Sequence, residues 1–298
     1  MHRNNAYGFL SLILGFSLML ASCGDTTEKT TQPPVQAKLD SADVARTKEL
    51  EKIFFSLPSP TEMTTLIKAK GFQFDPSKLV ATANVDKYTG ETRQAVMLGV
   101  YGADLSYASV FDQKQMSMEY FAAAQKLARQ MDADGVITSE LIERMEKNQE
   151  NRDSMLNIIS EAYADMNDHL KEKDRIEVSA MVITGGWLEA LYLSTQYGAD
   201  GNAELRQRIA EQKYSLNNLM NYLEKFGDSP ALKELKTDLT SLHDAYNSVA
   251  ENKGKTSANK DASGKMVIGS TTTLAIDDAT LAKITTLAKD LRTKYTSL

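Results

Sequence analysis

Two acidic side chains stand alone in stretches of sequence that otherwise carry no charge. Asp104 is the only charged residue in positions 94–111, and Glu189 is the only one in positions 178–199. A carboxylate in an apolar helix is costly unless it is paired or hydrogen-bonded, and burial raises its pKa. The two acids are therefore candidates for ligand binding or for acid–base catalysis.

Each acid is followed by a tyrosine three positions later, Tyr107 and Tyr192. Residues three apart share one face of a helix, so each hydroxyl would frame a polar pocket beside its carboxylate. We therefore predict a ligand-binding site at Asp104, Tyr107, Glu189 and Tyr192. The alternative is structural: each acid points to solvent, or accepts backbone hydrogen bonds and fixes the packing.

A weak internal repeat aligns the two acids. Asp104 and Glu189 are 85 positions apart, and residues 161–163 match residues 244–246 at an offset of 83. A duplicated helical unit would explain both offsets. It would place the two acids in the same central layer of a bundle, on neighbouring helices.

Four glycines lie in the same two segments. Gly99, Gly102, Gly185 and Gly186 each cost helix stability relative to alanine. Because glycine has no side chain, we expect these positions to let two helices approach closely. Trp187, the only tryptophan, is expected to be a core residue rather than a ligand platform.

Helical periodicity and capping residues predict an all-α fold. Helix starts are predicted at Ser59-Pro60 and Ser229-Pro230, since serine caps a helix and proline fits its first position. The expected architecture is a multi-helix bundle. The internal repeat allows this bundle to consist of two duplicated helical units. The predicted helices cover 39–55, 60–71, 91–111, 113–131, one long element at 139–173, 175–198, 203–226, 230–249 and the residues after Asp277.

Two short β-prone runs precede the final helix. Residues 266–268 and 271–276 flank Gly269-Ser270, which predicts a small β-hairpin formed by these two runs. Residues 251–265 are polar and predict a solvated loop. Elsewhere we expect helices packed on helices.

The N-terminus has the features of an export signal. Arg3 provides a positive start, and residues 9–20 form an apolar stretch that is short for a membrane span. Leu20-Ala21-Ser22-Cys23 resembles the lipobox of bacterial lipoproteins, in which the cysteine is acylated. The alternative is a conventional leader or a membrane anchor followed by a chance cysteine. Cys23 is the only cysteine, so the domain is expected to be stable without disulfides.

These features predict the organisation of the whole chain. Residues 1–22 would be a signal peptide, residues 23–38 a flexible tether, and residues 39–298 a helical domain. A lipid such as palmitate on Cys23 would anchor the domain to a membrane of the cell envelope. Gly24 is compatible with sorting to the outer membrane.

Composition and missing motifs exclude several classes of function. The net charge of -6 disfavours nucleic acid as a partner, because that binding depends on basic contacts to phosphate. Glu161, Asp165 and His169 are spaced as metal ligands on a helix would be, yet no familiar metal-binding pattern accompanies them. We expect a solvated face there, with no metal or cofactor. No nucleophile elbow occurs, so we lean against an enzyme.

The chain also resembles a group of proteins. The lipobox, the polar tether and the segments Tyr-Gly-Ala-Asp-Leu-Ser-Tyr and Gly-Gly-Trp-Leu-Glu-Ala-Leu-Tyr are similar to those of uncharacterised helical lipoproteins from Bacteroidota-type bacteria. The resemblance implies export and acylation of Cys23. It implies no activity.

Three functions stay open. The first is a non-enzymatic envelope protein whose helical domain binds another protein or a small ligand. The second is a receptor for a small molecule or metal, with Asp104 and Glu189 in an internal cavity. The third is a hydrolase that uses the same carboxylates as acid and base.

Overall fold

The structure is a computed structural model that describes residues 59–198, 202–225, 229–253, 257–260, 266–269 and 272–298. The predicted signal peptide, Cys23, the tether and the predicted helix at 39–55 lie outside the described residues. The predicted all-α bundle is confirmed. In the described ranges the helices are α1 (Pro60–Ala69), α2 (Glu91–Val110), α3 (Lys114–Gln130), α4 (Ser139–Lys147), α5 (Arg152–Glu172), α6 (Ile176–Gly198), α7 (Ala203–Glu224), α8 (Pro230–Tyr246) and α9 (Asp278–Thr296).

Capping side chains set several helix starts where the sequence predicts them. Ser59 Oγ accepts a hydrogen bond from Glu62 N at 3.2 Å, and Ser229 Oγ accepts one from Leu232 N at 3.5 Å. Each serine precedes a proline at the first helical position, which needs no amide hydrogen. Local sequence therefore accounts for these boundaries.

The single long helix predicted at 139–173 is wrong, because the chain breaks between α4 and α5. Asn148 ends α4, and its side-chain amide donates to Arg144 O at 2.7 Å. Asn151 then caps α5 by accepting from Ser154 N at 3.0 Å. Asparagine side chains compete in this way for the hydrogen bonds of the helix backbone. Two asparagines therefore end one helix and begin the next within the segment that helical periodicity predicted to be continuous.

A small β-structure precedes α9, but its pairing differs from the prediction. The strands are β1 (Ala250–Lys253), β2 (Ser257–Lys260), β3 (Met266–Gly269) and β4 (Thr272–Ala275). β1 pairs antiparallel with β4, and β2 pairs antiparallel with β3. The two β-prone runs therefore each pair with a strand from the polar segment that was predicted to be a solvated loop.

α2 and α6 form the centre of the bundle. All residues of α2 from Ala95 to Val110 are buried. Contacts advance in the same direction along both helices, from Val96 with Gly185 to Tyr107 with Tyr197. The two helices therefore run parallel, and the remaining helices pack around them.

Glycines make this central contact close, as predicted. A Cβ added at Gly99 would lie 2.0 Å from Val182 O, and one added at Gly185 would lie 2.0 Å from Val96 O. At 2.0 Å an added carbon would overlap the facing backbone carbonyl. The backbones of α2 and α6 meet here without intervening side chains.

α6 also has the length and composition of a membrane-spanning segment. Among the described residues it is the one helix that does, over 176–197. Most of its apolar surface is buried inside the bundle, against α2 above all. Burial in the core accounts for this apolar composition.

Candidate functional site

The structure brings Asp104 and Glu189 together between α2 and α6. Both side chains are 0% exposed. Burial raises the pKa of Asp104, and the Glu189 carboxylate lies close enough for its negative charge to raise it further. The prediction that the two acids lie in one central layer on neighbouring helices is confirmed. Their proposed role in binding a ligand stays a prediction.

Arg292 of α9 completes the cluster. Its Nε donates to Glu189 Oε2 at 2.6 Å and its Nη2 donates to Glu189 Oε1 at 2.8 Å. This two-point contact satisfies both oxygens of the carboxylate with a planar cation. The Arg292 side chain is 13% exposed, so the ion pair is largely shielded from solvent. We refer to Asp104, Glu189 and Arg292 as the carboxylate cluster.

The surroundings of Asp104 favour its neutral form over its ionised form. Val80 N donates to its Oδ2 at 3.1 Å, while Oδ1 is buried with no hydrogen-bond donor among the described residues. Burial, followed by the negative charge of Glu189, raises the pKa of Asp104 well above its usual value of 3.8. A protonated Asp104 donating to Glu189 would satisfy the atom that otherwise lacks a partner. The cluster then holds one negative and one positive charge.

The segment from Lys78 to Ala81 closes over the cluster. Lys78 O accepts from Arg292 Nη2 at 2.9 Å. Tyr120 donates to Val80 O at 3.0 Å, and Tyr101 donates to Ala81 O at 3.1 Å. These bonds fix the segment against α2, α3 and α9, and they seal the carboxylates from solvent.

The two predicted tyrosines have different environments. The guanidinium of Arg292 lies over the ring of Tyr192, 4.1 Å from its centroid, so Tyr192 belongs beside the cluster. Tyr107 does not lie there as expected. Its hydroxyl lies 2.6 Å from that of Tyr197 and accepts from Asp75 N at 3.2 Å. The three-residue spacing did not predict this position, because the Tyr107 side chain extends towards Tyr197 and Asp75 rather than towards Asp104.

Protonation of Asp104 has a measurable consequence for stability. Because its pKa is raised on folding, its contribution is fully present below its usual value of 3.8 and is lost as pH rises through the folded pKa. Asp104→Asn removes the titrating proton. We expect the wild type to be less stable relative to this variant at pH 8 than at pH 5, with a slope of at most about 1.4 kcal/mol per pH unit. Urea denaturation at both pH values measures this, and parallel profiles would show that Asp104 is ionised.

A second feature is a partly open apolar cavity, which is lined mainly by α2, α3, α4, α5 and α6. Its volume is about 60 Å³. This volume is several times the minimum of about 10–15 Å³ that such a space needs to hold one water molecule. Interiors are otherwise close-packed, so a void of this size is unusual. The wall is almost entirely hydrocarbon, with contributions from each helix that include Leu105, Ala124, Met145, Met166 and Val182.

Two buried polar side chains are exceptions in this wall. Asn167 of α5 is 6% exposed and Ser179 of α6 is 2% exposed. The Ser179 hydroxyl donates to Asn167 Oδ1. Tyr163 also borders the cavity, where its ring edge fits against Gly102 and its hydroxyl against Gly186. Helical periodicity did not indicate the cavity, because nearly all of the other lining residues are apolar side chains of the kind found in any core.

Two of the three residues that were spaced as metal ligands, Glu161 and His169, have other contacts. Glu161 forms an ion pair with Arg144 at 2.5 Å, which joins α5 to α4. The ring of His169 packs against Gly135. No group of three metal-ligating side chains occurs in the ranges that the structure describes.

The cavity and the carboxylate cluster are separate sites. Neither Asp104 nor Glu189 lines the cavity. Arg292 engages the cluster through its ion pair with Glu189, whereas the wall of the cavity is almost entirely apolar. Comparisons with protein-family models, curated proteins and solved structures find no match for this chain.

Proposed function

We propose that this chain is a lipid-anchored, non-enzymatic protein of the cell envelope whose helical domain binds a small apolar molecule in the cavity that α2, α3, α4, α5 and α6 line. The observation that carries the proposal is the cavity itself. Apolar cavities of this kind stay dry and take up small hydrocarbons. Of the two binding partners that the first function allowed, another protein or a small ligand, the cavity favours the small ligand.

The carboxylate cluster supports a structural role rather than a receptor or hydrolase site. Both oxygens of Glu189 accept hydrogen bonds from Arg292, and Asp104 is fully buried, which favours its neutral form. A general acid or base must reach the proton that it transfers, and here no substrate has access. The cluster instead ties α9 to the two central helices.

Binding in the cavity is testable with methionine methyl groups as reporters. Met145 and Met166 line the cavity, whereas Met97 is buried elsewhere in α2. With methyl-labelled methionine and cyclopentane as the probe, we expect the Met145 and Met166 resonances to shift in a saturable manner. Met97 should not respond. Equal shifts at all three methyl groups, or no shift at Met145 and Met166, would contradict the proposal.

A filling substitution gives a matched control. Ala124→Leu adds three carbons to the cavity wall, so it should abolish the shifts while preserving or raising stability. Ala122→Leu makes the same change at an exposed position of the same helix. This variant should bind cyclopentane as the wild type does. Binding that survives Ala124→Leu would place the probe elsewhere.

The proposed anchor has its own test. Leu20-Ala21-Ser22-Cys23 supports cleavage before Cys23 and acylation of its thiol. We expect mass spectrometry of the native N-terminus to find residues 1–22 absent and a lipid on Cys23. Cys23→Ser should release the protein from the membrane fraction. An intact leader or an unmodified Cys23 would overturn the anchor, but it would leave the cavity test unaffected.

A further inference from the structure

The amide of Asn167 is incompletely hydrogen-bonded in the cavity wall. Its Oδ1 accepts from the Ser179 hydroxyl, which orients the amide. Its Nδ2 carries two N–H donors. Among the described residues, the hydrogen-bond acceptor for Nδ2 is Asp168 Oδ1 at 3.4 Å, close to the outer limit for such a bond. The side chain is 94% buried, and at least one of its two N–H donors therefore has no acceptor in the part of the chain that the structure describes.

The charge around the cavity restricts what could meet this donor. The wall contains no lysine, arginine or histidine, and no acidic residue either. A carboxylate or phosphate in the cavity would have no countercharge, and burying an unpaired ion is strongly unfavourable.

We propose, on the basis of the function proposed above, that the cavity binds a neutral apolar molecule with one hydrogen-bond acceptor, such as a ketone, and that Asn167 Nδ2 donates to it. The hydrocarbon part of the ligand fills the apolar space. Its oxygen provides the acceptor that the protein does not. The volume of about 60 Å³ limits the enclosed part of the ligand to a few carbon atoms.

Three probes of similar shape separate this inference from the proposed function. They are cyclopentane, cyclopentanone and cyclopentanecarboxylate, and the Met145 and Met166 methyl shifts report binding of each. The double variant Asn167→Leu/Ser179→Ala removes both members of the polar pair together, which avoids leaving one of them unpaired. The ratio of the cyclopentanone to the cyclopentane affinity is compared between the wild type and this variant, so that the solvation of each probe cancels.

We expect this ratio to fall about tenfold in the double variant, the effect of one lost hydrogen bond. Ser179→Ala alone keeps the Asn167 amide and should retain the preference. Cyclopentanecarboxylate should not bind at neutral pH. If cyclopentane and cyclopentanone bind with the same ratio in both proteins, the acceptor is irrelevant and this inference fails, while the proposed function stands. If no probe shifts Met145 or Met166, the proposed function itself fails.

A direct measurement on the wild type does not depend on the variant folding. The side-chain amide of Asn167 can be followed by nitrogen-15 NMR. Cyclopentanone should shift its Nδ2–H resonances downfield, as a new hydrogen bond would, and cyclopentane should leave them nearly unchanged. Identical responses to both probes would overturn the inference.

Discussion

Replacing Arg292 with methionine is expected to lower the free energy of unfolding by about 3–5 kcal/mol at neutral pH. The substitution removes the cation but leaves the Glu189 carboxylate fully buried. Methionine approximates the apolar stem of arginine, so the loss is chiefly electrostatic. It would also free Lys78 O, which Arg292 now engages. Equilibrium denaturation in urea measures the change.

A double-variant cycle tests the cause of this loss. Glu189→Gln removes the charge that Arg292 neutralises, so the pair Arg292→Met/Glu189→Gln should be less destabilised than the sum of the single changes. Groups in contact couple by roughly 0.5–3 kcal/mol. Arg144→Met is the matched control, because its ion pair with Glu161 is exposed and should contribute less than about 1 kcal/mol. Additive effects at Arg292 and Glu189 would show that the ion pair does not stabilise the fold.

The two acids of the cluster were predictable, but their cation was missed. A lone charge in an apolar helix is a local pattern, so Asp104 and Glu189 were visible in the sequence. Arg292 lies 103 positions after Glu189, and helical periodicity does not predict such long-range contacts. One signal was present: Arg292 falls between Ala288 and Tyr295, both buried, so a basic side chain there borders the core face of α9.

The β-structure illustrates the same limit. β-Branched residues indicated β3 and β4 correctly, because propensity is a property of the residues themselves. Their partners, Ala250–Lys253 and Ser257–Lys260, are polar and have no such preference. They are strands because β3 and β4 provide backbone hydrogen bonds across the pair. Pairing of this kind depends on the fold and cannot be predicted from the residues of either segment alone.

The cavity was also outside the reach of sequence patterns. Its wall combines side chains from five helices, all of which would suit a close-packed core. A cavity forms where buried side chains do not completely fill the space between the helices. Helical periodicity predicts which residues are buried, but it does not predict how well their volumes pack. Asn167 was the one unusual residue, a polar side chain on the buried face of α5.

Gly185→Ala is expected to destabilise the protein by about 2–3 kcal/mol despite a helix preference that favours alanine by about 1 kcal/mol. The new Cβ would lie 2.0 Å from Val96 O, so the α2 and α6 backbones would have to separate. Glu189 is one helical turn beyond Gly185, so separation should also weaken its contact with Asp104. Urea denaturation measures the loss, and a smaller dependence of stability on pH would report the weakened contact.

Gly102→Ala is the matched control for this effect. The same methyl group would meet the ring edge of Tyr163 at 2.8 Å, and a side chain can rotate away where a backbone carbonyl cannot. The clash should therefore be partly relieved, and the gain in helix preference should offset most of what remains, leaving a loss below about 1 kcal/mol. The two substitutions add the same atoms to the same central helix pair, so the difference between them isolates the backbone contact. If Gly185→Ala were as mild as Gly102→Ala, the glycines would not be what holds α2 and α6 close enough for Asp104 and Glu189 to meet.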